Sequence, residues 1–286
     1  MKFLVITTLI WAFSFSLIGV YLSGQVDPWF AAWFRTALAL LLFTPLLLRC
    51  RIARTQALQL AGIGAVQLGL MYLFYYQSFE HLTVPEVLIF TIFTPLYVTL
   101  IDDAFSRRFS SRYFLVATLA VIGALVIRWG AISSSFVLGF FLVQGSNLCF
   151  AFGQVAYRHL QRATHDPGFA SFGYFYLGAF LLTSIACLSQ GQARLPDQAI
   201  QWVVLIWLGV VASGLGYFLW NRGAQQVNPG ALAIMNNALI PAGLLVNVLI
   251  WNREADLVRL GIGSAIIAGS LWVNQRLSAR QTAIGN

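Results

Sequence analysis

Within long apolar runs, the chain places a few side chains that could do chemistry. Arg35, in WFRTALALLLFTP, carries a planar fork of donors able to clamp a carboxylate through two parallel hydrogen bonds. Its alternative roles are structural: the guanidinium can snorkel to lipid headgroups or pair within the protein. Gln144, Asn147 and Gln154 fall on one helical face at about 100° per residue, and Ser213, Tyr217 and Asn221 recur at i, i+4 and i+8. Amides and phenols offer donors and acceptors without permanent charge. Such a set suits an uncharged polar group in a dry cavity, and equally suits hydrogen bonds between helices.

The stretch IMNNALIPAGLLVN, residues 234–247, concentrates the same chemistry. Asn247 shares a face with Asn236 to within about 20°, whereas Asn237 is turned by about 100°. One of the adjacent amides is therefore expected to face a cavity and the other to hold a neighbouring helix. Pro241 lacks the N–H that would bond the Asn237 carbonyl, so it is expected to interrupt its helix; Pro95, in LTVPEVLIFTIFTPLYVTLI, is expected to do the same. Trp11 and Tyr72 add flat apolar surface. Glu86 has two readings. Thr83-Val-Pro-Glu86 has the form of a capping box, and the carboxylate could instead take up a proton or pair with Arg35.

What positions these groups follows from composition. Hydrophobic residues make up 59% of 286 positions and charged residues 9%, against roughly 25% charged in a soluble domain; the mean hydropathy is +0.78. A hydrocarbon layer of about 30 Å takes about 20 apolar residues in a helix. Ten runs approach that length: 3–22, 29–49, 57–78, 84–101, 112–128, 136–157, 169–188, 199–220, 230–250 and 257–275. Their connections are short, so the expectation is one all-α polytopic membrane domain over 1–286, in contact with lipid.

The formal net charge of +8 arises from basic residues scattered at run ends, so no nucleic-acid partner is expected. Placing the N-terminus inside puts twelve basic residues on the inner side and four on the outer, which predicts cytoplasmic termini. Lys2 before an apolar run could mark a cleaved signal peptide, but the run is long for one. Cys50, Cys149 and Cys187 stand apart, and His81, His159 and His165 lie at or near run ends without metal-binding spacing. No phosphate loop occurs either, so neither metal nor cofactor is expected. An integral membrane enzyme would need nucleophilic, acid/base or metal groups clustered at one membrane face, and that cluster is lacking.

An internal repeat organises the runs. GAVQLGLMYLFYYQSFEHL, starting at Gly64, and GVVASGLGYFLWNRGAQQV, starting at Gly209, share Gly64 with Gly209, Gly69 with Gly214, Leu70 with Leu215 and Tyr72 with Tyr217. After a one-residue insertion Pro95 matches Pro241, and WAFSF resembles FAFGQ at residues 150–154. Runs 1 to 5 thus correspond to runs 6 to 10. An odd number of crossings inverts the second copy relative to the first, an arrangement suited to alternating access. The glycines at 62, 64, 69, 209, 214 and 216 suit close helix packing or bending.

WAFSFSLIGVYLSG, LTVPEVLIFTIFTPLYVTLI, LGVVASGLGYFLWNRGAQQVNPGALAIMNN and PAGLLVN together resemble the EamA type of the drug/metabolite transporter superfamily, in particular the biotin carriers of its carboxylate/amino acid/amine branch. The resemblance covers nearly the whole chain. It implies a ten-helix carrier of the bacterial inner membrane, with EamA-type repeats at 1–130 and 131–286, no cofactor, and inward movement of biotin or a related small carboxylate. It assigns no ligand set. Export of amino acids or amines on the same fold is the alternative, and oligomeric state is not readable.

Overall fold

The computed structural model describes residues 1–105, 133–163, 171–192, 194–227 and 229–251, with isolated positions between 258 and 272. Every element among them is helical. In chain order they are α1 (Lys2–Tyr21), α2 (Pro28–Leu47), α3 (Arg54–Gly64), a π-helical segment (Ala65–Leu70), α4 (Met71–Ser78), α5 (Val84–Phe90), a 3₁₀ turn (Thr91–Phe93), α6 (Thr94–Phe105), α7 (Ser134–Ala163), α8 (Phe172–Gln190), α9 (Ala199–Trp207), a second π-helical segment (Leu208–Leu215), α10 (Gly216–Gln225) and α11 (Pro229–Trp251).

Seven continuous helical runs among the described residues are long and apolar enough to cross a membrane, and α11 follows them with an apolar stretch over Ala238–Trp251. Of the ten expected runs, 112–128 and most of 257–275 lie outside the described residues. The exterior is apolar: Leu188 is 89% exposed and Leu249 76%, exposures that water would penalise and hydrocarbon does not.

Local chemistry sets the helix starts and breaks. Asp27 caps α2, accepting from Trp29 N at 3.0 Å, with Pro28 in the first turn. Glu86 closes a capping box on α5, accepting from both Thr83 N and Thr83 Oγ1 at 2.9 Å. Just before Pro95, the helix tightens into the 3₁₀ turn. Pro241 behaves differently. Expected to interrupt its helix, it sits inside the continuous α11, because a helix can carry a proline when surrounding packing holds its geometry.

The two π segments are unlike anything hydropathy suggests. Each adds a residue to a helical turn, shifting the side chains that follow by about 100°. They occupy equivalent places in the repeat, since Leu215 lies 145 positions after Leu70. Packing pairs off in the same sense: α1 lies against α10 and α11, and α7 against α4 and α6; α3 lies against α8, and the second π segment against α2. Glycine makes the tightest crossing possible, because a Cβ on Gly64 would run into the Phe175 carbonyl and one on Gly178 into the Ala61 carbonyl. Hydrogen bonds from Trp33 Nε1 to Ser184 Oγ at 3.1 Å and between Thr36 and Thr183 at 2.7 Å fasten α2 to α8.

At one end, the connections are tied by polar contacts. Asp27 Oδ2 accepts from Gln192 N at 2.8 Å, Arg194 lies 3.7 Å from Glu80, Glu80 accepts from Gly24 N at 2.9 Å, and Gln201 donates to Gln25 at 3.0 Å. Gly24 takes φ of +70°, a conformation open to glycine without strain.

Candidate functional site

A cavity opens between α1, α2, α4, the break before α6, α7, α10 and α11. Its polar corner is Arg35, which is only 2% exposed. The residue lies seven positions into α2, deep enough to be removed from either end of the helix. Its Nε donates to Ser213 Oγ at 3.0 Å and its Nη1 to Tyr76 Oη at 3.1 Å, while the guanidinium lies 4.2 Å from the Tyr72 ring centroid. These partners are neutral. Among the described residues no carboxylate pairs with Arg35, and none lines the cavity.

The second π segment supplies the geometry around Arg35. Ser213 Oγ donates to Leu208 O, five residues back, at 2.8 Å, and so is free to accept from Arg35 and from Tyr72 Oη at 2.7 Å. Carbonyls loosened by the π turn find side-chain donors: Trp11 Nε1 bonds Ala212 O at 2.8 Å, and Tyr176 Oη bonds the carbonyls of Ser213 and Gly214. Helix irregularity and the cation's position are therefore one structural feature.

The walls beyond Arg35 are aromatic. Tyr72 meets Tyr217 edge-on at 5.9 Å, and Trp11 lies 4.9 Å from Tyr217, 5.0 Å from Trp220 and 5.7 Å from Phe150. Tyr217 donates within the protein to the Met71 sulfur at 3.8 Å, a weak acceptor. Opposite, Asn147 donates to Phe90 O at 2.8 Å, satisfying a carbonyl at the end of α5, and also to Gln144 at 3.3 Å. Asn236 donates to Leu232 O at 3.1 Å, and among the described residues its Oδ1 has no partner.

The cavity thus brings together Trp11, Arg35, Tyr72, Asn147, Tyr217 and Asn236 of the sequence-predicted residues. It does not include Gln144, Gln154 or Asn221, which are buried between helices behind the lining residues. Glu86 caps α5, and the Asn237 side chain lies outside the described residues. Sequence reasoning passed over Ser14, Thr91, Thr94 and Ser146, which also line the space. Thr91 and Thr94 flank the break before Pro95, so the proline itself was the available signal. The spacing of five between Gly64 and Gly69, and between Gly209 and Gly214, was a matching signal for the π segments.

The EamA-like transporter family matches residues 1–129 and 137–275. The chain is 47% identical over 286 residues to a biotin transporter of Salmonella typhimurium, covering 99% of this chain and 95% of that one. It is 47% identical over 287 residues to a probable biotin transporter of Pseudomonas aeruginosa, covering 98% and 99%. A biotin transporter of Escherichia coli K12 is 46% identical over 286 residues, covering 99% and 95%. A solved crystal structure 16% identical in sequence superposes with a TM-score of 0.66 over 98% of this chain and 97% of its own, a likeness of fold.

Proposed function

This chain belongs to the EamA-like transporter family, a multi-pass membrane transporter and not an enzyme, and from that premise we propose that it carries biotin, or a closely related small carboxylate, inward across the bacterial inner membrane. The single observation that carries the substrate reading is Arg35: a cation buried in a span and facing a cavity that contains no carboxylate among its described lining residues. An unpaired buried charge costs several kcal/mol, and an ionisable group in a membrane span marks a substrate pathway by default. A substrate carboxylate completes the pair.

Biotin has three chemical parts: a carboxylate, an apolar body and a ureido group. Arg35 suits the first, and the row of Tyr72, Tyr217, Trp11 and Trp220 the second. The names of the relatives point to the same substrate. An amine exporter is less well served, since an ammonium group would need an anionic partner that the described lining of this cavity lacks.

The proposed topology is ten spans in two inverted sets of five, 1–130 and 131–286, with both termini cytoplasmic. The repeat in sequence, the equivalent π segments and the paired packing support it. The cavity holds about 80 Å³, below the roughly 300 Å³ where ligand pockets begin, so loading requires the halves to separate. Alternating access provides that movement: one end opens when the ties among Asp27, Glu80, Arg194 and Gln201 part. The direct test is uptake of labelled biotin by cells lacking other routes, with a panel of carboxylates and amines as competitors. Carboxylates must compete and amines must not, and protection from toxic amino-acid analogues without biotin uptake would favour export.

A further inference from the structure

Two polar stripes leave the cavity along the helices. On α7, Asn147, Gln154 and Gln161 follow at seven-residue intervals; on α10, Tyr217, Asn221 and Gln225 follow at four. Asn147 and Tyr217 line the cavity, and the residues after them do not. Between the stripes stands Gln67, in the first π segment and fully buried, whose Nε2 donates to Asn221 Oδ1 at 3.3 Å. Gly153, the residue before Gln154, packs so closely on Gln67 that any Cβ there would collide with it.

These groups leave an unusual remainder. Among the described residues, Gln67 Oε1, Gln154 Oε1, Gln154 Nε2 and Trp220 Nε1 are buried and have no hydrogen-bond partner. A native interior rarely leaves such atoms without a partner, whether water or a guest, because each unmet group costs its full desolvation. On Gln67, Gln154 and Trp220 the remainder is two amide carbonyls, one amide NH2 and one indole N–H, all uncharged; Gln161 and Gln225, farther along the stripes, carry unmet amide atoms as well. A ureido group presents the reciprocal set: a carbonyl that accepts two hydrogen bonds and two N–H groups that donate.

We propose that Gln67, Gln154 and Trp220 form a second, uncharged subsite that takes the ureido group of the substrate, separate from the carboxylate site at Arg35. The inference rests on the carboxylate-carrier reading above and extends it to the other end of the molecule. Trp220 links the two, since it lines the cavity wall and immediately precedes Asn221, to which Gln67 donates. Charge would be a hindrance here: neutral amides bind a neutral head while leaving the carboxylate no reason to compete.

The test measures binding of labelled biotin to the purified, detergent-solubilised full chain, with competition by lipoate, a carboxylate on a similar chain with a sulfur ring but no ureido group. Gln154→Met and Gln67→Met, on different elements, keep side-chain length and remove the polar atoms. Each should weaken biotin binding about tenfold and leave lipoate competition unchanged, so that the preference for biotin collapses. In Gln154→Met the melting temperature should hold or rise, because a wholly unsatisfied amide has been removed, whereas Gln67→Met also breaks the bond to Asn221 and is read on the ratio of the two ligands. Unchanged biotin affinity, an equal loss for both ligands, or a melting temperature of Gln154→Met that falls in step with binding would each overturn the subsite. Failure of the unaltered protein to bind biotin would overturn the carrier reading instead.

Discussion

Arg35 Nε donates to Ser213 Oγ at 3.0 Å, a bond that joins α2 to the π segment 178 positions later in the chain. The cation that faces the cavity is thus oriented by a hydroxyl whose own proton is committed to Leu208 O, a carbonyl of the same π segment. Ser213→Ala removes this acceptor and leaves Tyr76 and the Tyr72 ring in place. The apparent KM for uptake should rise about fivefold to tenfold, corresponding to roughly 1 kcal/mol for one hydrogen bond, with protein abundance unchanged. An unchanged KM would show that Ser213 does not orient the clamp.

Arg35→Lys retains the charge and loses the planar fork. A point charge cannot form the bidentate pair, so carboxylate affinity should fall by about tenfold or more, in line with about 1.5–3 kcal/mol for hydrogen bonds to charged groups. Full affinity in competition binding would mean that charge alone suffices.

Glu86 is expected to act as a helix cap. Glu86→Ala should lower the stability of the solubilised protein by about 1 kcal/mol and leave the apparent KM for substrate within about twofold. A large loss of pH-gradient-driven uptake in Glu86→Gln, which keeps an acceptor for Thr83, would identify a proton-carrying role instead.

The crossing of α3 and α8 predicts a purely structural defect. Gly64→Ala drives a methyl group into the Phe175 carbonyl, where backbone has to move, and overpacking of this kind costs about 1–3 kcal/mol. The melting temperature should drop. Gly62→Ala, where nothing lies within 4 Å of the added carbon, is the matched control and should melt like the unaltered protein.

Composition and run length reveal a polytopic helical protein because hydrocarbon imposes length and polarity on every helix. The lone cation of α2 was legible as a site for the same reason: charge in a span needs a purpose. Which amides face the cavity was not legible. Gln144, Asn147 and Gln154 share a face, yet only Asn147 reaches the wall, since a face is met by several neighbours at different depths and only packing decides which. The π segments were hidden because one inserted residue changes register without changing hydropathy. Pro241 misled because a proline's missing donor does not by itself state whether neighbours will hold the helix together.

The central claim is that Arg35 holds the carboxylate of an imported biotin. Uptake of labelled biotin should be compared between the unaltered protein and Arg35→Gln, in cells lacking other routes, with biotin and biotin methyl ester as competitors. The account predicts strong uptake blocked by biotin and poorly by its ester, and loss of nearly all uptake in Arg35→Gln at equal membrane abundance. Equal inhibition by the ester, or uptake by Arg35→Gln at the unaltered rate, would contradict it.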